Sequence, residues 1–118
     1  MPRKPSYKRG DVVLVLFPYS SLREAKTRPA LVVQADDLSS GLPQVIVAMI
    51  TSQTARAGHP SRISIVSASE QGKRSGLLTD SIVMTDNLAT IIVTALYRVI
   101  GSLPMTEVDV ALRHTLGL

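Results

Sequence analysis

Cysteine is absent from the 118 residues, which excludes disulfides, thiolate nucleophiles, iron–sulfur clusters and cysteine-held zinc. Tryptophan is absent as well, and Tyr7, Phe17, Tyr19 and Tyr97 bring the aromatics to only 3%. A stacking platform of interleaved aromatics, as single-strand binders use, has little to draw on. Histidine occurs twice, at His59 and His114, so a histidine-rich metal cage is excluded. Long hydrophobic runs are missing too. The longest, Val12 to Phe17 and Val45 to Ile50, have six residues each, against the roughly 20 that a membrane-spanning helix needs. The opening MPRKPSYKRG is basic, with no apolar stretch before Val12, unlike a secretory signal. These absences together predict a soluble, cytoplasmic protein with no membrane partner.

What is present suits one compact domain over residues 1–118, with residues 1–9 as a basic N-terminal tail. Apolar residues make up 45% of the chain, enough for one small core and too many for a disordered segment. The net charge of +4 is unevenly placed. Residues 1–28 hold Arg3, Lys4, Lys8, Arg9, Arg23, Lys26 and Arg28 against only Asp11 and Glu24, whereas the remaining ninety residues carry six basic and seven acidic side chains. Clustered Lys and Arg suit a polyanionic partner, since they gain from counterion release on a phosphate chain. A basic segment that merely maintains solubility fits the charge map equally well.

Short runs rich in Val, Ile and Leu, punctuated by Gly, Pro, Ser and Asp, indicate strands. They lie at Asp11–Phe17, Ala30–Ala35, Gln44–Ile50, Arg62–Val66, Ser81–Thr85, Thr90–Val93 and Tyr97–Ser102. The alternation in Arg62-Ile63-Ser64-Ile65 predicts a strand with one wet face, and the uniformly apolar Val12–Leu16 and Val45–Ile50 predict strands covered on both. Only the end reads as a helix: Met105, Val108, Leu112 and Leu116 recur every three or four residues, with acidic residues early and basic ones late, as the helix dipole prefers. Asp86-Asn87-Leu88-Ala89 reads as a turn, and 18–28, 51–60 and 67–76 as the long loops. Without alternating βαβ units, the pattern predicts a mostly β protein, a small barrel of six to seven short strands with a C-terminal helix.

Candidate chemistry concentrates at two places. The loop from Pro18 carries Arg23 and Lys26 and ends in Arg28-Pro29, where proline stiffens its own φ and biases Arg28 toward extended backbone. A guanidinium so held suits charge that develops in a transition state, and it equally suits a solvated strand edge. Thr51-Ser52 leaves the apolar run Val45–Ile50, placing hydroxyls where they can bind a ligand or cap a turn. Asp80, Asp86 and Asn87 fit Asx turns as well as a site. Neither histidine has an evident Ser or Cys partner, and phosphate-loop, dinucleotide and metal-ligand spacings are all missing.

Taken in order, RGDVVLVLFPYS, KTRPALVVQADD, QVIVAMITSQT, GLLTDSIVMTDNLATI, RVIGSLP and a final helix ending LGL resemble the MazF/PemK family, in register from about Lys8 onward. The resemblance implies an SH3-like barrel and a homodimeric toxin of a bacterial toxin–antitoxin pair. Such a toxin cuts single-stranded RNA, chiefly messenger RNA, at short sequences, stopping translation and growth, and needs no cofactor. A cognate antitoxin would lay a disordered segment over the RNA groove, and DNA would be met only through the toxin–antitoxin complex. By the same resemblance Arg28 matches the catalytic arginine before the proline of the second strand, and Thr51 the threonine after the third. Arg23, Lys26, Ser52 and Arg56 would then follow the RNA. The PemK/Kid branch instead uses an arginine and a nearby aspartate on a later strand with a histidine in the first loop. Here the aspartate persists as Asp86, Met84 stands in the arginine's place, and residues 18–28 contain no histidine. That departure favours Arg28 and Thr51 and leaves Asp86 a supporting role at the RNA. Competing readings are a toxin of the same fold directed at DNA gyrase, and a catalytically silent RNA-binding barrel.

Overall fold

A computed structural model describes residues 6–17 and 26–118. Its six strands are β1 (Asp11–Phe17), β2 (Lys26–Val32), β3 (Gln44–Thr51), β4 (Arg62–Ile65), β5 (Ser81–Ile92) and β6 (Leu96–Ser102), with helices α1 (Glu70–Ser75) and α2 (Thr106–Leu116). They form one antiparallel sheet in the order β4-β5-β3-β2-β1-β6. This is the mostly β, barrel-like architecture that the run pattern predicts, with the strand count at six. No helix among the described residues is long and apolar enough to cross a membrane.

Strand alternation divides the core in two. Val13, Val15, Ala30, Val32, Val45, Val47 and Met49 pack on one face of the sheet. Val12, Leu31, Ala48, Ile50 and Val83 occupy the other, where Val108, Ala111 and Leu112 of α2 cover them. Both faces of β1 and β3 are therefore largely covered, which is why these strands read as continuous apolar runs. In β4, Ile63 and Ile65 are buried while Ser64 is exposed, the wet face that the alternation called for. A fully buried Val or Leu contributes about 1.5–3 kcal/mol, and Val12, Val13, Val15 and Leu31 are all completely buried.

Three expectations are corrected. Ser81–Thr85 and Thr90–Val93 do not form separate strands around a turn. They are parts of β5, and the break lies in its pairing: Ala48 faces Leu88 while the next residue, Met49, faces Met84. Thr85, Asp86 and Asn87 bulge out of that ladder, so the polar residues that suggested a turn mark a bulge instead. The supposed loop 67–76 contains α1, whose Ser69 Oγ accepts from the Gly72 N–H at 3.0 Å and whose Gly76 closes the helix at φ 75°. Six residues are too few for an apolar period to show, and only the two caps announce the helix. On α2, Leu116 is 53% exposed and Ala111 is buried, so the buried stripe runs Val108, Ala111, Leu112.

Glycine permits one close contact that matters for the site. A Cβ at Gly76 would stand 2.1 Å from the Ile100 carbonyl oxygen, and one at Gly101 would stand 2.3 Å from the Arg74 oxygen. The absent side chains let the end of α1 lie directly on β6. At the other end of the sheet, Arg9, counted above with the N-terminal tail, is anchored. Its Nε donates to the Val33 carbonyl at 2.9 Å, and its Nη2 meets Asp109 of α2 at 2.6 Å.

Candidate functional site: a cationic cleft at the end of the sheet

The β2–β3 ladder is bonded only over Ala30–Val32 against Met49–Val47. It stops at Pro29, which has no N–H to give. Extending the same register two residues sets Arg28 opposite Thr51, just past the last bonded pair. The two residues that the resemblance singled out thus meet where the strands part.

A cleft of about 850 Å³ opens here. Lys26 and Arg28 of β2, Thr51 and the following Ser52, and Arg98 of β6 share it with Leu77, Leu78 and Thr79, the segment leaving α1. Among the described residues three cations line it and no Asp or Glu does. Thr51 Oγ1 accepts from the Gln53 N–H at 3.2 Å, the turn-capping contact, which leaves its O–H to donate elsewhere. Chemically, such a wall attracts a polyanion and offers fixed N–H and O–H donors to its oxygens.

The other candidates lie elsewhere. Arg56, at the end of a 3-10 turn over Thr54–Arg56, sends Nη1 to 3.6 Å from the Met84 sulfur. Asp86 accepts from Arg62 Nη2 at 2.8 Å and from its Nε at 3.4 Å. Neither Arg56 nor Asp86 lines the cleft. The hydrogen bond from Arg62 holds the Asp86 carboxyl below its ordinary range, and the same bond raises Arg62. Arg23 lies outside the described residues. His59 Nδ1 accepts from the Ser61 N–H at 3.1 Å, and its ring stands edge-on to His114 at 6.1 Å. Among the described residues no three His, Asp or Glu side chains gather closely enough to hold a metal ion.

Sequence reasoning missed Arg98. It sits in a strand far from the basic first quarter, and only the β1–β6 ladder brings it there by pairing Leu14 with Arg98. Leu77 and Leu78 were also missed, because they follow a helix that carried no apolar period.

The described residues define a small, mostly antiparallel β protein whose cleft carries Lys, Arg and hydroxyl side chains, a lining with the chemistry to hold phosphate oxygens. The sequence relationships narrow that class. Residues 8–116 match the model of the PemK-like, MazF-like toxins of type II toxin–antitoxin systems, and the chain belongs to that family. It is 37% identical over 107 residues to endoribonuclease MazF2 of Mycobacterium bovis, covering 87% of this chain and 90% of the relative. It is 35% identical over 115 residues to endoribonuclease EndoA of Bacillus subtilis, covering 94% and 95%. Among solved structures, a mycobacterial endoribonuclease in complex with its cognate antitoxin superposes with a TM-score of 0.74 at 21% identity, over 96% of this chain and 97% of that one. The MazE–MazF complex of Deinococcus radiodurans gives 0.72 at 17% identity, over 99% of each chain. At such identities the structural likeness establishes the fold alone.

Proposed function

We propose that this protein is the RNA-cleaving toxin of a toxin–antitoxin pair, cutting single-stranded RNA within the cleft and silenced by a cognate antitoxin. The observation that carries the reading is the convergence of Arg28 and Thr51 at the parting of β2 and β3, in a cleft whose charged lining among the described residues is cationic. The relatives named endoribonucleases support the activity, and the neighbours solved with antitoxins support the partner. A gyrase-directed toxin of this fold would have no need of that pair, so the non-nuclease reading is the weaker one. The cytoplasm, where messenger RNA is found, is the compartment this activity requires.

Cleavage proceeds through the substrate's own ribose. The 2′-oxygen attacks the adjacent phosphorus and gives up its proton, the bond from phosphorus to the 5′-oxygen breaks, and that oxygen takes a proton as it leaves. The products are a 2′,3′-cyclic phosphate and a 5′-hydroxyl. Arg28 stabilises the extra negative charge on the five-coordinate phosphorus, where a planar guanidinium engages two oxygens at once. Thr51 orients the phosphate or the 2′-hydroxyl, so that the attacking oxygen is held near its target. Lys26 and Ser52 steady the neighbouring backbone. Two copies acting as a two-fold dimer complete the reading, with Val110 and Leu116 exposed on α2 for a partner to cover.

The experiment is digestion of a defined single-stranded RNA beside a strand carrying one deoxyribose 5′ to the cut, each with and without EDTA. The native strand is cut at an unchanged rate in EDTA, its ends are cyclic phosphate and 5′-hydroxyl, and the substituted strand stays intact. Cutting of the substituted strand, or loss of activity in EDTA, rejects the mechanism. Sedimentation of the same sample at micromolar concentration shows two copies; monomer alone removes the dimer.

A further inference from the structure

The cleft extends beyond Arg28 and Thr51 to a second group of residues, on the β6 side, that the cleavage chemistry does not use. Arg98 lines this part and has no ion-pair partner among the described residues. Alternation separates it from Arg28. Arg28 faces Val15 across the β1–β2 ladder and Arg98 faces Leu14 across the β1–β6 ladder, and consecutive residues of β1 point to opposite sides of the sheet. The two positions also lie on strands flanking β1, about 10 Å apart at the usual ladder spacing. Arg28 and Arg98 therefore approach the cleft from different sides and suit different phosphates of one strand.

Beside Arg98 the wall is apolar. The contact of Gly76 with the Ile100 carbonyl brings the start of the Gly76–Thr79 segment against β6. Leu78 in that segment is 94% exposed and lines the same cleft. A leucine held almost wholly in solvent, in the same cleft as a guanidinium, offers apolar surface within a site that can also hold a phosphate. A nucleotide has the matching pair of features, a base and a phosphate.

We infer that Arg98 and Leu78 form a subsite for a nucleotide flanking the cut, with its phosphate on Arg98 and its base lying against Leu78. The subsite rests on the RNA-cleaving reading and extends it, since it makes these two residues determinants of substrate binding and of base preference at one position.

The test uses Arg98→Gln, Leu78→Ser and, as a control, Arg113→Gln, which removes one exposed charge from α2 outside the cleft. All three positions are exposed. Binding is measured with an RNA made uncleavable by one deoxyribose and carrying a single neutral methylphosphonate placed at each phosphate in turn. Arg98→Gln should weaken binding about tenfold and lower the log–log salt slope by about 0.7, the value of one single-strand phosphate contact. At one methylphosphonate position the wild type should lose as much as Arg98→Gln does, and the variant should lose nothing further. RNA-end mapping on a random-sequence pool should show Leu78→Ser with altered base preference at one position and an unchanged preference elsewhere. Arg98→Gln indistinguishable from Arg113→Gln, no coupled methylphosphonate position, or an unaltered preference in Leu78→Ser each overturn the subsite. Tight RNA binding by a wild type that cuts no native RNA would overturn the cleavage reading, and with it the role of these residues as determinants of the cut.

Discussion

The two ends of the sheet handle polar groups in opposite ways. At the far end, where β4, the bulge of β5 and the last turn of α2 meet, a set of hydroxyls and an ion pair are matched within the chain. Thr85 Oγ1 donates to the Ser61 carbonyl at 2.6 Å and lies 2.7 Å from Thr115 Oγ1, which in turn donates to Ser61 Oγ at 2.8 Å. Arg62 is paired with Asp86. At the cleft end, the lining contributed by the described residues includes Lys26, Arg28 and Arg98 and no Asp or Glu. A polar network that closes on itself adds rigidity, whereas clustered charge of one sign attracts an oppositely charged ligand. The comparison separates residues that build the fold from those that the proposed function assigns to a substrate, although both sets are rich in Arg and Thr.

The sharpest way to break the comparison is at Arg28. Arg28→Ala should slow cleavage by roughly 10²–10³, the usual loss on removing one preorganised donor, with the melting temperature held because the side chain is exposed. Lysine should restore little, since a point charge lacks the planar fork. A variant that cuts at the wild-type rate would end the assignment. The opposite outcome is expected at the far end. Thr85→Val removes a completely buried hydroxyl and strands its partners, so denaturant titration should show a loss of about 1–3 kcal/mol while kcat of the folded protein holds. A drop in kcat at unchanged stability would move Thr85 into the site.

The smallest effect belongs to Asp86. Its pKa is depressed in the fold by Arg62, so the pair's contribution is complete above the unfolded carboxylate value and is lost as pH falls through the lower folded one. Unfolding titrations from pH 7 to pH 2 should show Asp86→Asn lacking that acid-side portion, with cleavage at neutral pH unchanged. A large loss of cleavage in Asp86→Asn would return this residue to the substrate.

Much of this was legible from the residues. Runs covered on both faces, the alternation in β4 and the period of α2 reflect local geometry, which sequence patterning carries directly. The in-order phrases carried the family, and Arg28-Pro29 with Thr51-Ser52 marked half of the cleft. What was lost depended on contacts distant in sequence. The polar break at Asp86-Asn87 cannot declare whether it ends a strand or bulges from one until β3 supplies the partner. A one-turn helix shows only its caps.

By itself the sequence determined β1, β3, β4 and β6, the final helix, the exclusion of cysteine chemistry and the charge placed next to Pro29, because each follows from side-chain type and near-neighbour spacing. Only the tertiary structure decided which cations share a cavity. Arg98 reaches the cleft because β6 pairs with β1, Arg56 and Asp86 stand away from it on the far side of β3, and the Gly76–Ile100 contact sets the apolar wall. Ladder register and close packing join residues dozens of positions apart, and no local pattern in the chain records those distances.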